Sequence, residues 1–271
     1  MPINTNKNLA PRSTRLPSCS RSCGIRSLLS VVVAVAGVFV LSSVGSGSEL
    51  GNDETPSRAG SAVKPVGTEP CAERLAAVIQ AHYESVDDFS ANFRQRTQSV
   101  MLGKASLGAD APSTGFVQFA KPGKMRWRYE TPAKSLVISD GKILWIYDPE
   151  AREAQRLPVT EGYLTGAVLE FLLGEGKILD EFEVEVSSCV PDAQDALELT
   201  LIPKERASYE SLGLRAHRLT GEILATSLVD LFGNRTVISF SDTRINLHPD
   251  ASTFRFEIPS SVQVIDLVPA P

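Results

Sequence analysis

Apolar and polar residues alternate along most of the chain after residue 88, which is the pattern of strands that bury one face of a sheet. Pro, Gly and Asp residues separate the alternating segments at short intervals, as the turns of an antiparallel meander do. The pattern predicts about eleven strands, at residues 89–100, 115–120, 125–129, 135–139, 143–147, 182–187, 196–202, 214–220, 223–231, 236–242 and 254–258.

Helical spacing of apolar residues predicts about three short helices. Residues 73–83 place Leu75, Val78 and Ile79 on one face. Residues 162–173 carry a wide apolar stripe that includes Leu169 and Leu172, and residues 176–180 form the third segment. No repeat of 20 to 50 residues is visible, which argues against a propeller or a solenoid. The predicted fold is therefore mainly antiparallel β with a few helices.

The first 48 residues have the organisation of an export signal. They hold five basic residues and no acidic one, and an uncharged, mostly apolar run at 28–44 is followed by the small residues 45–48. The run is short for a membrane span and lacks a basic stop-transfer flank, so a cleaved signal is favoured over an uncleaved anchor. Residues 49–70 are rich in Pro, Gly, Ser and charge and predict a flexible leader, which leaves 71–271 as the folded domain.

The charge balance argues against nucleic-acid binding. The net charge of the chain is -5, and removing the five basic residues of the signal from the total of 27 leaves 22 against 32 acidic residues. A body this acidic, with no basic stripe and no run of interleaved aromatic and basic residues, is a poor partner for phosphates.

Two cysteines, Cys71 and Cys189, follow the export signal. In an oxidising compartment the simplest expectation for such a pair is a disulfide. The alternative is two unpaired, buried, small side chains. No metal site is expected, because these two residues and the three scattered histidines lack ligand spacing.

No motif for catalysis is present. The chain has no Gly-x-Ser-x-Gly elbow, no zinc-binding His pair on a helix and no phosphate-binding loop. The acidic residues at 180–183 alternate on a predicted strand, where a solvated face is a better interpretation than a pair of catalytic carboxylates. The residues therefore favour binding over chemistry, with no cofactor.

Three ordered motifs carry a family resemblance: FSANFRQ at 89–95, GFVQFAKPGKMRWRY at 115–129 and LVISDGKILWIYDP at 136–149. Together they closely resemble the LolA family of periplasmic outer-membrane lipoprotein carriers, and the resemblance extends over about 190 residues, from 75 to 267. The fold it implies is a half-open antiparallel β-barrel whose apolar concave face is covered by helices.

The resemblance also implies site residues. Lys121 occupies the position at which the family has an Arg that contacts the helical lid, and a solvated hairpin residue is the alternative. Met125 takes the position at the cavity mouth, and Trp127 shares its face, where a core role is the alternative. The other residues expected to bind lipid or form the lid are Phe89, Phe93, Leu136, Ile138, Trp145, Leu169 and Leu172.

The implied function is a periplasmic, monomeric carrier that binds the acyl chains of lipoproteins. It would receive them from an inner-membrane lipoprotein-releasing ABC transporter and deliver them to the outer membrane or an acceptor there. Three alternatives remain. A sensor of lipid or envelope stress with the same fold usually has a second domain, an outer-membrane acceptor would need a lipid-modified Cys directly after the apolar run, and a carbohydrate-active enzyme would need a carboxylate pair in a cleft.

Overall fold

A computed structural model of the chain describes residues 69–100, 111–159 and 176–267. Helix α1 (Glu69–Glu84) precedes a sheet that these residues build from twelve strands. The strands are β1 (Asp88–Gln98), β2 (Ser113–Ala120), β3 (Lys124–Thr131), β4 (Ser135–Asp140), β5 (Ile143–Asp148), β6 (Glu153–Pro158), β7 (Phe182–Val186), β8 (Ala196–Pro203), β9 (Tyr209–His217), β10 (Ile223–Asp230), β11 (Arg235–Ile245) and β12 (Gln263–Asp266).

Two further short elements lie between the strands. Helix α2 (Ile178–Glu181) leads into β7, and a 3-10 turn, Ala251–Phe254, lies between β11 and β12. None of the helices in the described ranges is long and apolar enough to cross a bilayer.

The sheet is an open antiparallel barrel. Its strand order is β12-β6-β5-β4-β3-β2-β1-β11-β10-β9-β8-β7, and only β12 and β6 pair in parallel. The two end strands, β12 and β7, do not pair with each other, so the described part of the barrel is not closed. The architecture confirms the predicted half-open, mainly antiparallel β fold with few helices.

Two groups of buried side chains form the core. The first, which we name the inner cluster, consists of Ala91, Phe93, Val117, Phe119, Met125, Trp127, Tyr129, Val137, Leu144, Leu157 and Ile238. The second, the helix cluster, joins α1 and α2 to β7–β10 and consists of Ala72, Leu75, Ala76, Ile79, Ile178, Phe182, Val186, Leu197, Leu199, Leu201, Tyr209, Leu212, Leu214, Ala216 and Ile223. Phe240 of β11 packs against both groups and therefore links the two halves of the sheet.

Helix α1 lies on the β7–β10 half because its apolar stripe faces that half. Leu75, Ala76 and Ile79 are buried there, at the spacing of one helical face. The turn between β9 and β10 approaches the helix closely at Gly221, which has a φ of +77°. A Cβ at Gly221 would lie 2.5 Å from the carbonyl oxygen of Val78, so this contact requires a residue without a side chain.

The structure departs from the sequence prediction in three strands. β6 and β12 were not predicted, and residues 254–258 form no strand. The alternation of Phe254 and Phe256 arises from packing rather than from pairing, since Phe254 is buried in the 3-10 turn and Phe256 lies against aromatic rings of β5. The predicted helix at 73–83 is confirmed in α1, whereas the helix predicted at 162–173 lies outside the described residues.

Candidate functional site

The inner face of β1–β6 is a continuous apolar surface. Cross-strand neighbours share a face, and Ala91, Val117, Trp127, Val137 and Ile146 follow one another in register from β1 to β5. A second row runs parallel to the first through Phe89, Phe119, Met125, Ser139, Leu144 and Leu157. Ser139 is the polar member of this second row, so both rows present mostly hydrocarbon and aromatic groups.

Aromatic rings fill the β1–β3 part of this face. Phe93 lies 5.0 Å from the ring of Trp127 and 5.0 Å from that of Tyr129, while Phe89 and Phe119 stack at 4.9 Å. Gly115 leaves the space for Phe93, because a Cβ there would lie 2.8 Å from Phe93 Cε1. Pairs of this geometry contribute about 0.5–1.5 kcal/mol each beyond their buried area. The rings therefore make this region an ordered apolar floor.

The hydroxyl of Tyr129 is satisfied within this floor. It donates to Gln95 Oε1 across 2.9 Å, and burial raises the pKa of Tyr129 well above its ordinary value. Tyr129 therefore stays neutral and adds no charge to the apolar surface.

Lys121 connects this face to the helix. It follows β2 directly, and its Nζ donates to the backbone carbonyl oxygen of Tyr83 across 2.7 Å, while its own N–H donates to the carbonyl of Asp87. Tyr83 lies in the last turn of α1, where carbonyl groups carry partial negative charge that favours a cation. The structure thus places the Lys121 ammonium group against the last turn of α1.

Tyr83 is itself held by the β7–β10 half. Its side chain hydrogen-bonds the backbone of Ile223 at the start of β10, and burial raises its pKa above the ordinary value. The Lys121 bond therefore joins the β2–β3 hairpin to a helix residue that is anchored on the opposite half of the sheet.

Four of the residues predicted to bind lipid come together on the inner face. Phe93, Met125 and Trp127 are buried in the inner cluster, and the partly buried Phe89 packs against it. Met125 and Trp127 are 5% and 4% exposed, so each is covered in this conformation. Both the core interpretation and the ligand-contact interpretation of Trp127 fit this position.

The structure does not bring Leu136, Ile138 and Trp145 to this face. Val137 pairs with the inward-facing Trp127, so its neighbours Leu136 and Ile138 point to the opposite side of β4. Trp145 pairs with Ile138 and shares that outer side. The sequence alone could not show which side of β4 faces inward, because β4 has apolar residues on both faces.

The C-terminal segment covers that outer side. The ring of Phe256 lies 5.2 Å from those of Trp145 and Tyr147, and Arg126 donates to the carbonyl of Thr253 across 3.1 Å. The guanidinium group of Arg156 also lies over the ring of Trp145, with its Cζ 5.6 Å from the ring centroid. Trp145 therefore stabilises the packing of the C-terminal segment. Leu169 and Leu172 lie outside the described residues.

Cys71 and Cys189 lie together. Cys71 is near the start of α1, Cys189 follows β7, and the two free thiols are within hydrogen-bonding reach of each other. Burial, and next the hydrogen bond that the Cys71 S–H donates to Cys189, raise the pKa of Cys71 to about 11. The disulfide stays a prediction, with its two partners side by side.

Several inner-face residues were not predicted from the sequence. Val117, Phe119 and Tyr129 could have been found by extending the alternation of Met125 and Trp127 across the hairpin. Gln155 was missed because β6 was not recognised as a strand. Its position opposite Ile146 places Gln155 on the inner face, at the end of the row that contains Trp127.

Comparison with known proteins finds a family model and relatives of one name that cover most of the chain. The sequence profile of the outer membrane lipoprotein carrier protein LolA matches residues 84–257. A protein of Chromohalobacter salexigens named outer-membrane lipoprotein carrier protein is 35% identical over 198 residues, which are 72% of this chain and 86% of that protein. Proteins of the same name are 33% identical in Cupriavidus pinatubonensis, over 62% of this chain and 78% of that protein, and 30% identical in Chromobacterium violaceum, over 72% and 89%.

Proposed function

The chain belongs to the LolA family of outer membrane lipoprotein carrier proteins, and on that basis we propose that it carries lipoproteins by covering their acyl chains with its inner face. The observation that supports this most is the continuous apolar surface of β1–β6, bordered by the bond between Lys121 and Tyr83. Acyl chains need such a surface because each exposed CH₂ group costs about 0.8 kcal/mol in water. A tri-acylated lipoprotein has roughly 45 such groups, and exposing all of them to water would cost on the order of 36 kcal/mol.

The same magnitudes explain how cargo could displace the helix contact. A hydrogen bond from a charged donor such as Lys121 contributes about 1.5–3 kcal/mol. Burial of about two to four CH₂ groups offsets that amount. A lipid chain that enters next to Met125 therefore supplies enough free energy to separate the β2–β3 hairpin from α1, and loss of the chain lets the contact form again.

The cellular setting is part of the proposal. Residues 1–48 direct export and are removed close to Glu49, and the protein acts in the periplasm. It receives cargo from an inner-membrane lipoprotein-releasing ABC transporter and passes it to the outer membrane. N-terminal sequencing of the exported protein tests the cleavage position, and recovery of residues 28–44 in the membrane fraction would contradict it.

Native mass spectrometry of the exported protein tests the function directly. We expect part of the wild-type protein to carry an acylated protein. Met125→Glu should lose that load, because a carboxylate on the inner face would have to be desolvated beside the chains. Met125→Gln, of nearly the same size and without the charge, is the matched control and should retain more load. Circular dichroism must show that both variants fold.

Two results would contradict the proposal. One is a wild-type protein that carries no acylated protein even after incubation with detergent-solubilised lipoproteins. The other is a folded Met125→Glu variant loaded to the wild-type level, which would show that the inner face is not the binding surface.

A further inference from the structure

Two buried polar atoms on the inner face have no hydrogen-bond partner. They are Trp127 Nε1, a donor, and Gln155 Oε1, an acceptor, and no other buried side-chain N or O atom in the described residues lacks a partner. Leaving a buried polar group unpaired is destabilising, so native proteins rarely retain one without a reason. Two such atoms, of complementary type and on one face, call for an explanation.

The other polar groups of this face are satisfied from within the protein. Tyr129 donates to Gln95, and Ser139 Oγ donates to the carbonyl of Gly123 and accepts from the N–H of Gly141. The unpaired atoms are thus not a general property of the face. They are confined to Trp127 and Gln155.

The orientation of the Gln155 amide is set by its neighbour. Gln155 Nε2 donates to Glu153 Oε1 across 3.1 Å. The reversed amide would direct its oxygen at a carboxylate, which is repulsive, so the contact fixes Oε1 as the free acceptor. The site therefore offers one N–H donor and one C=O acceptor.

Trp127 and Gln155 are members of one cross-strand row. Trp127 pairs with Val137, Val137 with Ile146, and Ile146 with Gln155. Three strand spacings separate their backbones by about 14 Å in a flat sheet. Apolar residues occupy the positions between them, so a ligand that used both polar atoms would lie across the row with hydrocarbon contact in the middle.

We infer that Trp127 and Gln155 form a polar subsite for the linkage groups of the lipid: Trp127 Nε1 donates to an ester or amide carbonyl oxygen, and Gln155 Oε1 accepts from an amide N–H. The inference rests on the proposed function and adds to it. Acyl esters and N-acyl amides carry these groups, whereas alkyl chains carry neither. An apolar face alone would bind acyl and alkyl lipids according to hydrophobicity only, while this subsite favours the acyl linkage.

Indole N–H resonances give a direct test in the wild-type protein. The chain has two Trp residues, so a ¹⁵N-labelled sample shows two indole signals, and Trp145→Phe assigns them. We expect dioctanoylglycerol, a diester, to move the Trp127 signal downfield, and dioctylglycerol, its diether counterpart, to leave it without that shift. Equal shifts with both lipids would overturn the inference.

Affinities measured by calorimetry test the same point by mutation. Trp127→Phe keeps an aromatic ring and removes the donor, and we expect it to lower the ester-to-ether ratio of affinities by about three- to tenfold, the effect of one neutral hydrogen bond. Trp145→Phe removes the same donor from the outer face and should leave the ratio unchanged. The ratio, rather than either affinity, removes the general difference in hydrophobicity between the two lipids.

Gln155 is tested with a second ligand pair. An N-alkyl octanamide offers an N–H that its N-methylated form lacks, and wild-type protein should prefer the former about three- to tenfold more strongly than Gln155→Met does. If wild-type protein binds none of these lipids, the proposed function itself fails. If it binds them and the substitutions leave both ratios unchanged, the inference alone fails.

Discussion

Lys121 and Tyr83 join the two halves of the barrel through the hydrogen bond from Nζ to the carbonyl oxygen at 2.7 Å. Lys121 belongs to the hairpin that carries Met125 and Trp127, and Tyr83 belongs to the helix packed on β7–β10. The bond therefore crosses the boundary between the two halves of the sheet, and in the proposed function a ligand that enters the inner face would open this boundary.

Lys121→Leu should weaken this closure without unfolding the protein. The carbonyl of Tyr83 loses its charged partner, so the closed form loses about 1.5–3 kcal/mol relative to the open form, and lipoprotein loading and handover should change in rate. Lys121→Arg, which restores a cation with more donors, should return the rates toward wild type. A reconstituted transfer assay measures this, with Lys124→Leu in the same hairpin as the control. Unchanged transfer in a folded Lys121→Leu protein would exclude a role for the contact.

Oxidation should link Cys71 to Cys189. Two thiols are converted to a disulfide while a disulfide oxidant such as oxidised glutathione is reduced to two thiols. The new bond would close a long loop and add about 4–5 kcal/mol to the free energy of unfolding in the chain-entropy model, less any strain. Thiol labelling of denatured, unreduced protein from which the export signal has been removed should find no free cysteine, and a variant with both residues changed to Ser should lose the stabilisation. Two labelled thiols in the exported protein would contradict the disulfide.

Gly221→Ala should destabilise the protein more than Gly233→Ala does. Both residues have positive φ, which costs an L-residue about 1–2 kcal/mol. At Gly221 the new Cβ also meets the backbone oxygen of Val78 at 2.5 Å, whereas at Gly233 the nearest atom is Val100 Cγ2 at 3.3 Å. Urea unfolding should therefore show a loss above about 2 kcal/mol for Gly221→Ala and a smaller one for Gly233→Ala. Equal losses would mean that the helix can move away from this turn at little cost.

Acidification should destabilise the folded protein through protonation of His82 in the last turn of α1. Burial lowers the pKa of His82 below its ordinary value, so the unfolded chain takes up a proton at a higher pH than the folded protein does. The contribution of neutral His82 to the free energy of unfolding is complete above about pH 6.5. It is lost as the pH falls from there through the lower pKa of the folded state. Unfolding free energies measured between about pH 5 and pH 8 should fall less steeply in His82→Gln than in wild type. Parallel pH profiles for the two proteins would contradict this assignment.

Much of the fold follows from local sequence signals. Ten of the eleven predicted strands are present, although β9 lies earlier in the chain than predicted, because strong alternation and turn residues mark them. β6 was not predicted because Glu153, Gln155 and Arg156 give it a polar composition. It is a strand nonetheless, because it pairs along its whole length with β5. Residues 254–258 alternate like a strand, yet packing on the outside of β5 decides their conformation.

The site was predictable only where a strand had a distinct polar face. Alternation of Arg126 and Arg128 with Met125 and Trp127 fixes which side of β3 is buried. Leu136 and Ile138 alternate with residues that are buried as well, so local pattern could not show which face points inward. The Lys121 contact depends on the position of α1 across the sheet, which is a tertiary property and came only from the family resemblance.

The position of β1 in the sheet has a consequence for the order in which the protein folds. Its neighbours are β2, which follows it directly, and β11, which begins at Arg235, so Phe93 pairs with Gly115 on one side and with Phe240 on the other. The centre of the sheet thus depends on a contact between distant parts of the chain, and such contacts form slowly. Until β11 is available, β1 has an unpaired edge and the two halves cannot share Phe240. The pairing that joins the two halves of the sheet is therefore completed only after β11 has been synthesised.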